Sequence, residues 1–453
     1  MRTDPLPRLV LIGLTTLSII ACSSAAMPPT PASPSSSSPS SPSSPSSMPG
    51  TSEEPAVAWL LVGRRGEPDL HLVLATTGEV AMDIPDGSPR SHWDRIVTAT
   101  ADGAATIVRD IVVQPGFGGP ELRIDGHWRL PTVGLDPIPA GRSLDGSTIA
   151  LVERAYDPSA GVSRFAIVDH FLLDAVQTAG DAPLRLVRVI ELRGAFEYDT
   201  LSPDGRILYV VQHLDGEAGG HYQVRAVDVP TGLMRNGVIV DKTHPDETMA
   251  GSPVAQVRRP DGLVLTLYRG PEHPFIHALA SMEAWAVCID LPVGDAHNPD
   301  AGLDWGLAPS ADGSSVFAVN ASLRLVVEID PTGLAVRRSA SIGSSAAAPI
   351  VLAKFGHGDV GPVGRRLVVS PDGTMLFAAG ADGISAIRTR DLAAVRHDLA
   401  GSAIDSVGIT PDGRVLFALV RGGTIVALDA ATGRDLGTVP GNDYDRLLAV
   451  APW

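Results

Sequence analysis

The chain has 453 residues, of which 44% are hydrophobic, and its formal net charge at pH 7 is −16. This length and apolar content are enough to bury a large core, whereas so acidic a surface argues against nucleic acid and anionic lipid as direct partners. The 47 glycines and 38 prolines suit a fold that is made of turns, and no stretch has a helical period.

Residues 1–21 predict an export signal. Arginines at positions 2 and 8 precede an apolar run from Leu9 to Ile20 that is too short to span a bilayer comfortably. The stretch Ile19 to Cys22 (IIAC) resembles the lipobox of bacterial lipoproteins. This resemblance implies cleavage before Cys22, diacylation of Cys22 and attachment to the extracytoplasmic side of the cell membrane. The alternative is an ordinary secretory signal that is followed by an incidental cysteine.

Residues 22–55 predict a disordered tether. From Ser23 to Pro55 the chain is mostly serine and proline, a composition that cannot bury a core and stays extended. At about 3.1 Å per residue, this segment could reach on the order of 100 Å. We therefore expect it to hold the following domain clear of a membrane.

Residues 56–453 repeat one phrase, which consists of a Pro-Asp-Gly turn and an apolar strand. Proline presets the first turn position, aspartate bonds the backbone ahead of it, and glycine accepts the left-handed conformation of a tight hairpin. A second turn, D-x-x-T-G, follows in several copies. The turn glycines of the first phrase are Gly205, Gly373 and Gly413, and looser copies of the phrase contain Gly146, Gly262 and Gly313, of which those at Gly146 and Gly313 lack the proline.

The apolar strands after these turns, such as LYVV from Leu208 and LFAL from Leu416, resemble the YVTN and PQQ-like repeats of bacterial β-propellers. The resemblance implies an all-β propeller of four-stranded blades over residues 56–453. Eight strand triplets can be followed, and seven blades is the alternative count because Glu79 to Trp93 is short for two strands. The triplets begin at Ala58, Asp94, Ser147, Arg206, Leu263, Ser314, Thr374 and Arg414.

The C-terminal segment predicts how the ring closes. Asp445 to Trp453 resembles an inner strand with no triplet after it, whereas the triplet at Ala58 has no inner strand before it. We therefore expect the C-terminal strand to join the N-terminal blade and to leave no open edge.

The tight turns all lie at one end of the ring, which we call the turn end, and the long connections lie at the opposite loop end. The more specific hypothesis is a metal or polar-ligand site at the loop end. The simpler explanation, which the sequence favours, is that long loops are polar in any case. The candidate ligand-binding residues are His213, His244, Glu272, His273, His297, Asp304 and His357.

No catalytic constellation is evident in the sequence. The stretch His273 to His277 (HPFIH) has two histidines but no HExxH helix, and neither a nucleophile elbow nor a phosphate-binding loop is found. We expect no catalytic residue, no metal and no cofactor, and we expect Cys288 to be a small buried apolar residue.

These features favour a non-catalytic binding or scaffold propeller at the cell envelope. Its partner would be a protein or small molecule of unknown identity, and it would contact the membrane through the lipid anchor only. The alternative is an enzyme of the quinoprotein dehydrogenase or lactonase type, with a metal or cofactor site at the loop end, because the resemblance covers such relatives.

Overall fold

All described residues belong to one unit, Pro55–Trp453. The predicted signal peptide, Cys22 and the predicted tether lie outside them. No helix in the described part of the chain is long and apolar enough to cross a membrane. The computed structural model describes residues 58–64, 67, 69–84, 87–92, 95–102, 105–116, 119–131, 137–153, 161–169, 186–214, 220–244, 248–270, 273–292, 305–342, 365–441 and 443–452.

The described strands form eight antiparallel sheets that follow one another along the chain as the blades of a ring. Blade 1 contains β1 (Ala58–Arg64), β2 (Leu70–Leu74) and β3 (Val80–Ile84), and blade 2 contains β4 (Gly87–His92), β5 (Arg95–Asp102), β6 (Ala105–Gly116) and β7 (Gly119–Pro131). Blade 3 contains β8 (Pro137–Arg142), β9 (Thr148–Glu153), β10 (Val162–Asp169) and β11 (Leu186–Arg193). Blade 4 contains β12 (Ala195–Leu201), β13 (Ile207–His213), β14 (His221–Asp228) and β15 (Leu233–Met234), with β16 (Met249–Ala250) added beside β14.

The second half of the ring has the same plan. Blade 5 contains β17 (Ser252–Arg258), β18 (Leu263–Arg269), β19 (Pro274–Ala280) and β20 (Trp285–Asp290). Blade 6 contains β21 (Trp305–Pro309), β22 (Val316–Asn320), β23 (Leu325–Asp330) and β24 (Ala335–Ser341). Blade 7 contains β25 (Leu367–Val369), β26 (Met375–Gly380), β27 (Gly383–Arg388) and β28 (Ala393–Asp398), and blade 8 contains β29 (Ile404–Ile409), β30 (Val415–Val420), β31 (Thr424–Asp429) and β32 (Asp435–Thr438).

The predicted eight-bladed propeller is thus confirmed, and the alternative count of seven is set aside. Each predicted triplet begins within two residues of the second strand of its blade. The stretch that had suggested seven blades, Glu79 to Trp93, holds both β3 and β4, because each of these strands has only five or six residues.

The C-terminal strand β33 (Tyr444–Pro452) closes the ring as predicted. It is the innermost strand of blade 1 and pairs antiparallel with β1, from Ala58 opposite Pro452 to Arg64 opposite Tyr444. Both ends of the described chain therefore share one sheet, and blade 1 has a paired inner strand instead of an open edge.

The repeated turn is held by a hydrogen-bond pattern that explains its sequence. In blade 7, the Ser370 hydroxyl donates to the Asp372 carboxylate at 2.5 Å and accepts the Met375 N–H at 2.9 Å, while Asp372 also accepts the Thr374 N–H at 3.1 Å. The turn glycine is left-handed in all six copies, with φ between 66° and 86°. The equivalent hydroxyl and amide hydrogen bonds of blade 6 are the main cause of the lowered pKa of Asp312, which is about 2.

The second turn, D-x-x-T-G, is also confirmed as a local network at the turn end. Asp228 and Asp429 each accept both the N–H and the hydroxyl of the threonine three residues later. Gly232 and Gly433 then adopt a left-handed conformation. In the shorter related turn Asp330 to Gly333 (DPTG), the left-handed residue is Leu334, one position after the glycine.

Arginines at the turn end connect successive blades. Arg396 on β28 donates to the carbonyls of Ala430 and Ala431 in the next blade, at 3.0 and 2.5 Å. Arg188 on β11 does the same to Pro230 and Thr231, and Arg338 on β24 to Thr389 and Arg390. Each of these arginines is on an outer strand and donates to two turn carbonyls of the next blade. Three pairs of neighbouring blades are thus joined by arginine hydrogen bonds at the turn end.

A candidate functional site between blades 4 and 5

Three of the seven candidate ligand-binding residues are described, and each lies beside a carboxylate. His213 Nε2 is 3.2 Å from Glu197, His273 Nε2 is 2.9 Å from Asp290, and His244 Nδ1 is 3.9 Å from Asp241. Glu272, His297, Asp304 and His357 lie outside the described residues. Among the described residues, no three His, Cys, Asp or Glu side chains converge as a metal site.

The three histidines occupy different environments on blades 4 and 5. His213 ends β13 and is buried, whereas His273 precedes β19 at the loop end and is partly exposed. His244 is on the segment that crosses to blade 5 along its outer edge, where Asp241 pairs with Ala286. The structure therefore places them around the same two blades without bringing them to one point.

His213 belongs to a group of polar side chains in the seam between blades 4 and 5, where a seam is the layer between two adjacent sheets. Two rows of cross-strand neighbours face each other there, and we call them the polar rows. The blade 4 row contains His213, Tyr222 and Met249, which are register partners on β13, β14 and β16. The blade 5 row contains Gln256, Thr266, His277 and Cys288, which are register partners on β17 to β20.

Contacts across the seam show that the two rows meet. At the outer end, Cys288 Sγ is 3.9 Å from Met249 Sδ. Next to this pair, the Tyr222 ring stacks on Tyr268 of blade 5, with centroids 4.8 Å apart and planes 17° apart. The Tyr268 ring in turn makes an edge contact with His277 at 6.3 Å.

Several buried polar atoms of the rows have no hydrogen-bond partner among the described residues. They are both ring nitrogens of His277, both ring nitrogens of His213, and the Tyr222 hydroxyl. The Nε2 of His213 is close to Glu197 but is not aligned for a hydrogen bond. Likewise, the Tyr222 hydroxyl is close to the Tyr268 hydroxyl but is not aligned for a hydrogen bond. Each unsatisfied buried group costs about 1–3 kcal/mol, so this seam gives up stability that an apolar seam would keep.

Burial sets the protonation states in the seam. It lowers the pKa of His277 to about 4, an effect that the carboxylate of Asp241 only partly offsets, so the imidazole is neutral at neutral pH. Burial also raises the pKa of Tyr222 and Tyr268 well above that of an ordinary tyrosine. His277 therefore presents neutral nitrogens, and Tyr222 and Tyr268 neutral hydroxyls, at neutral pH.

A buried carboxylate, Asp199 on the inner strand β12, lies at the inner end of the seam. The Gln256 amide donates to Asp199 Oδ1 at 3.0 Å and to the Thr266 hydroxyl at 2.9 Å, whereas Asp199 Oδ2 has no hydrogen-bond partner in the described part. Burial raises the pKa of Asp199 to about 6, against the lowering effects of Gln256 and Arg258. The Arg258 guanidinium donates instead to the carbonyls of Arg142 and Leu201.

Asp241 closes the outer end of the seam. Its carboxylate accepts the Thr243 N–H and hydroxyl through Oδ1 and the Cys288 N–H through Oδ2, at 2.6 to 2.9 Å. Although burial alone would raise the pKa of Asp241, the bonds from Thr243 and Cys288 hold it below the ordinary value. A negative charge is thus fixed beside Cys288, which is half-buried and not the fully buried residue that we expected.

Sequence reasoning missed most of the polar rows. His277 was considered only as the second histidine of the stretch HPFIH, which does not match the helical metal-binding motif HExxH. It lies in a strand, and its alternate neighbours Phe275 and Leu279 pack into the same core cluster. A polar residue at a core position of a strand is a readable signal, but its partners on blade 4 come from distant parts of the sequence.

Comparison with known proteins supports the fold alone. No protein-family model matches the chain, and no curated protein matches its sequence. A solved structure of AztD from Citrobacter koseri has 12% identity and a TM-score of 0.51, covering 87% of this chain and 98% of that one. Sqt1 from Saccharomyces cerevisiae has 12% identity and a TM-score of 0.44, covering 79% of this chain and 84% of its own. At such low identity, the likeness to AztD is one of fold.

Proposed function

We propose that the protein is a non-catalytic binding or scaffold propeller. It is held by a lipid on Cys22 at the extracytoplasmic side of the cell membrane, and it binds a protein or small molecule at the loop end of blades 4 and 5. The observation that carries this proposal is the contrast between the two ends of the ring around these blades.

At the turn end, the turn residues form local hydrogen bonds, and three arginines hydrogen-bond the turn carbonyls of the next blade. At the loop end of blades 4 and 5, histidine–carboxylate pairs range from the buried His213 with Glu197 to the exposed His273 with Asp290. Rigid strands that present such groups at their loop ends are the usual platform for recognition. The loop end is therefore the better candidate for a binding surface.

Anchoring supports a role at the envelope. The lipobox resemblance and the serine- and proline-rich tether suit a domain that reaches for a partner outside the membrane. Two acyl chains give durable attachment, whereas a single chain binds only marginally. The net charge of −16 keeps the domain away from anionic lipid, so the lipid anchor would supply the membrane contact.

Site-specific photo-crosslinking in native membranes tests where binding occurs. A photoreactive residue replaces His273 in one variant and Met282 in the matched control. These two positions flank β19 at the loop end and the turn end, with 37% of the His273 side chain and 50% of Met282 exposed. We expect a defined adduct from position 273 and none from position 282.

Adducts from position 282 alone would contradict the proposed binding surface. Substrate turnover that is lost when bound metal or cofactor is removed would instead favour the dehydrogenase or lactonase alternative. The anchor is tested separately by Cys22→Ser, which should abolish labelling by fatty acid and leave the protein unprocessed or released. Fatty-acid labelling that persists in this variant would refute the anchor while leaving the propeller and its binding surface untouched.

A further inference from the structure

The outer end of the polar rows brings two sulfur atoms together. Cys288 is on β20, the outer strand of blade 5, and Met249 is on β16, the short strand added to blade 4. Their sulfur atoms are 3.9 Å apart across the seam. Two sulfurs that share one metal ion in a trigonal arrangement are about 4 Å apart if each metal–sulfur bond is about 2.3 Å. The sulfur pair already has the spacing of two ligands.

A third donor lies beside this pair. His277 is the register partner of Cys288 on the adjacent strand, so both side chains project from the same side of the sheet, with Cβ atoms about 4.5–5.5 Å apart. Its side chain is 1% exposed, and neither ring nitrogen has a hydrogen-bond partner among the described residues. An imidazole buried in this state lacks the interactions that would satisfy it, and a metal ion would supply one.

The surroundings favour a cation. Asp241 is buried and directs a carboxylate oxygen at the Cys288 amide, 2.9 Å away, so a negative charge lies next to the sulfur pair. Cys288 itself is only half-buried, which gives an ion a way in from the outer edge of the blade. Thiolate and thioether together are soft donors, which select monovalent copper over hard cations such as magnesium or calcium.

We infer that Cys288, Met249 and His277 form a binding site for a soft monovalent cation, Cu(I) or Ag(I), with two sulfur ligands and one nitrogen ligand. On binding, the Cys288 S–H bond breaks, its proton goes to solvent, and a sulfur–metal bond forms. The oxidation state of the metal does not change. The site rests on the seam geometry and not on the proposed partner at the loop end.

Metal titration of the full chain carrying Cys22→Ser tests this inference, because Cys288 is then the only cysteine. Ag(I), and Cu(I) under anaerobic conditions, compete against a chromophoric chelator. We expect one equivalent of tight binding, its loss in Cys288→Ser, and at least tenfold weaker binding in both Met249→Leu and His277→Gln. Met282→Leu removes a thioether that is 50% exposed in the turn between β19 and β20, outside the group Cys288, Met249 and His277, and it should bind as tightly as the parent.

X-ray absorption gives an independent readout, which should show two sulfur ligands and one nitrogen ligand around the bound ion. Thermal melting of each variant checks that weaker binding does not come from unfolding. Folded Met249→Leu and His277→Gln variants that keep the parent affinity would overturn the inference, since the ion would then bind the thiol adventitiously. The absence of a stoichiometric equivalent in the folded parent would overturn it too.

Discussion

The seam between blades 7 and 8 and the seam between blades 4 and 5 share one strand register but contain different side chains. In blade 8, Ala418 pairs with Val426 and Val426 with Thr438. The corresponding positions of blade 5 are Thr266, His277 and Cys288. Ala418 and Val426 belong to an apolar cluster with Phe377 and Leu416, whereas Thr266 and His277 are polar and buried.

The difference shows that strand pairing and seam filling are separate properties of this ring. Turn motifs and backbone hydrogen bonds set the register in both blades, so the register tolerates either filling. Apolar seams add stability through burial, at about 25 cal/mol per Å² of apolar surface. The seam between blades 4 and 5 gives up part of that gain, which is a common feature of sites that bind something.

The strongest test of the apolar seams is to remove the strand that supports two of them. Leu447 and Val450 of β33 pack between blades 8 and 1, and Leu448 packs between blades 1 and 2. Deletion of residues 445–453 should lower the free energy of unfolding by about 5–9 kcal/mol, at roughly 1.5–3 kcal/mol for each of these three side chains. Chemical denaturation measures this loss.

The matched control deletes the predicted tether, residues 23–55, which should leave the midpoint of denaturation where it was. The truncated ring also exposes the inner edge of β1, so we expect it to aggregate more readily. A midpoint that is unchanged without residues 445–453 would mean that closure contributes little to the stability of the propeller.

The sequence predicted the features that the two seams share, which are the turns and the strand pairing, but not the side chains in which the seams differ. Pro-Asp-Gly and D-x-x-T-G turns carry their structure locally, so Ser370, Asp372 and Gly373 sufficed to place a hairpin and, through their repetition, a blade. The last strand resembles an inner strand but has no triplet after it, and this observation sufficed to predict ring closure. The turn predictions depend on interactions within about five residues, and the prediction of ring closure depends on the repeat count.

The polar rows could not be predicted in this way, because their contacts join distant residues. Asp199 bonds Gln256, 57 positions later, and Met249 contacts Cys288, 39 positions later. Neither pair belongs to a sequence motif. A sequence repeat shows that a position lies in a seam, but it does not show which side chain of the adjacent blade contacts that position. The loop-end prediction did identify His213, but its burial against Glu197 depends on the same long-range packing.

The pH dependence of stability probes the inner end of the polar seam. The pKa of Asp199 is about 6 in the folded protein and 3.8 for an ordinary aspartate. The folded state therefore binds more protons between these values, and Asp199 costs stability increasingly as pH rises from about 4 to 6. At about 1.36 kcal/mol per pKa unit, the full cost at pH 7 is about 3 kcal/mol, and it vanishes below pH 4.

Asp199→Asn keeps an oxygen that can accept the Gln256 hydrogen bond but cannot ionise. We expect this variant to match the parent near pH 4 and to exceed it by up to about 3 kcal/mol at pH 7, as measured by denaturant unfolding at each pH. Asp391, an exposed carboxylate at the turn end, provides the control, since Asp391→Asn should give no such gain at pH 7. A constant difference between Asp199→Asn and the parent from pH 4 to 7 would show that Asp199 is not buried as a charge.

Exchanging side chains between the two seams gives the smallest expected effect and the most direct test of the comparison. In metal-free protein at neutral pH, His277→Val places the blade 8 residue in blade 5 and removes two unsatisfied nitrogens. It should raise the free energy of unfolding by about 1–3 kcal/mol. The converse change, Val426→His, buries an imidazole among apolar neighbours and should lower the free energy by at least as much.

The signs of the two changes in the free energy of unfolding show whether His277 is a ligand-binding residue or a packed structural residue. If His277 is held in place for ligand binding at the expense of stability, His277→Val gains stability and loses affinity for soft metal, while Val426→His loses stability and gains no affinity. Denaturation curves and silver titration on the same preparations measure both quantities. If His277→Val instead destabilised the fold as much as Val426→His does, the imidazole would be a packed structural residue whose nitrogens are satisfied in solution, and the two seams would be energetically alike.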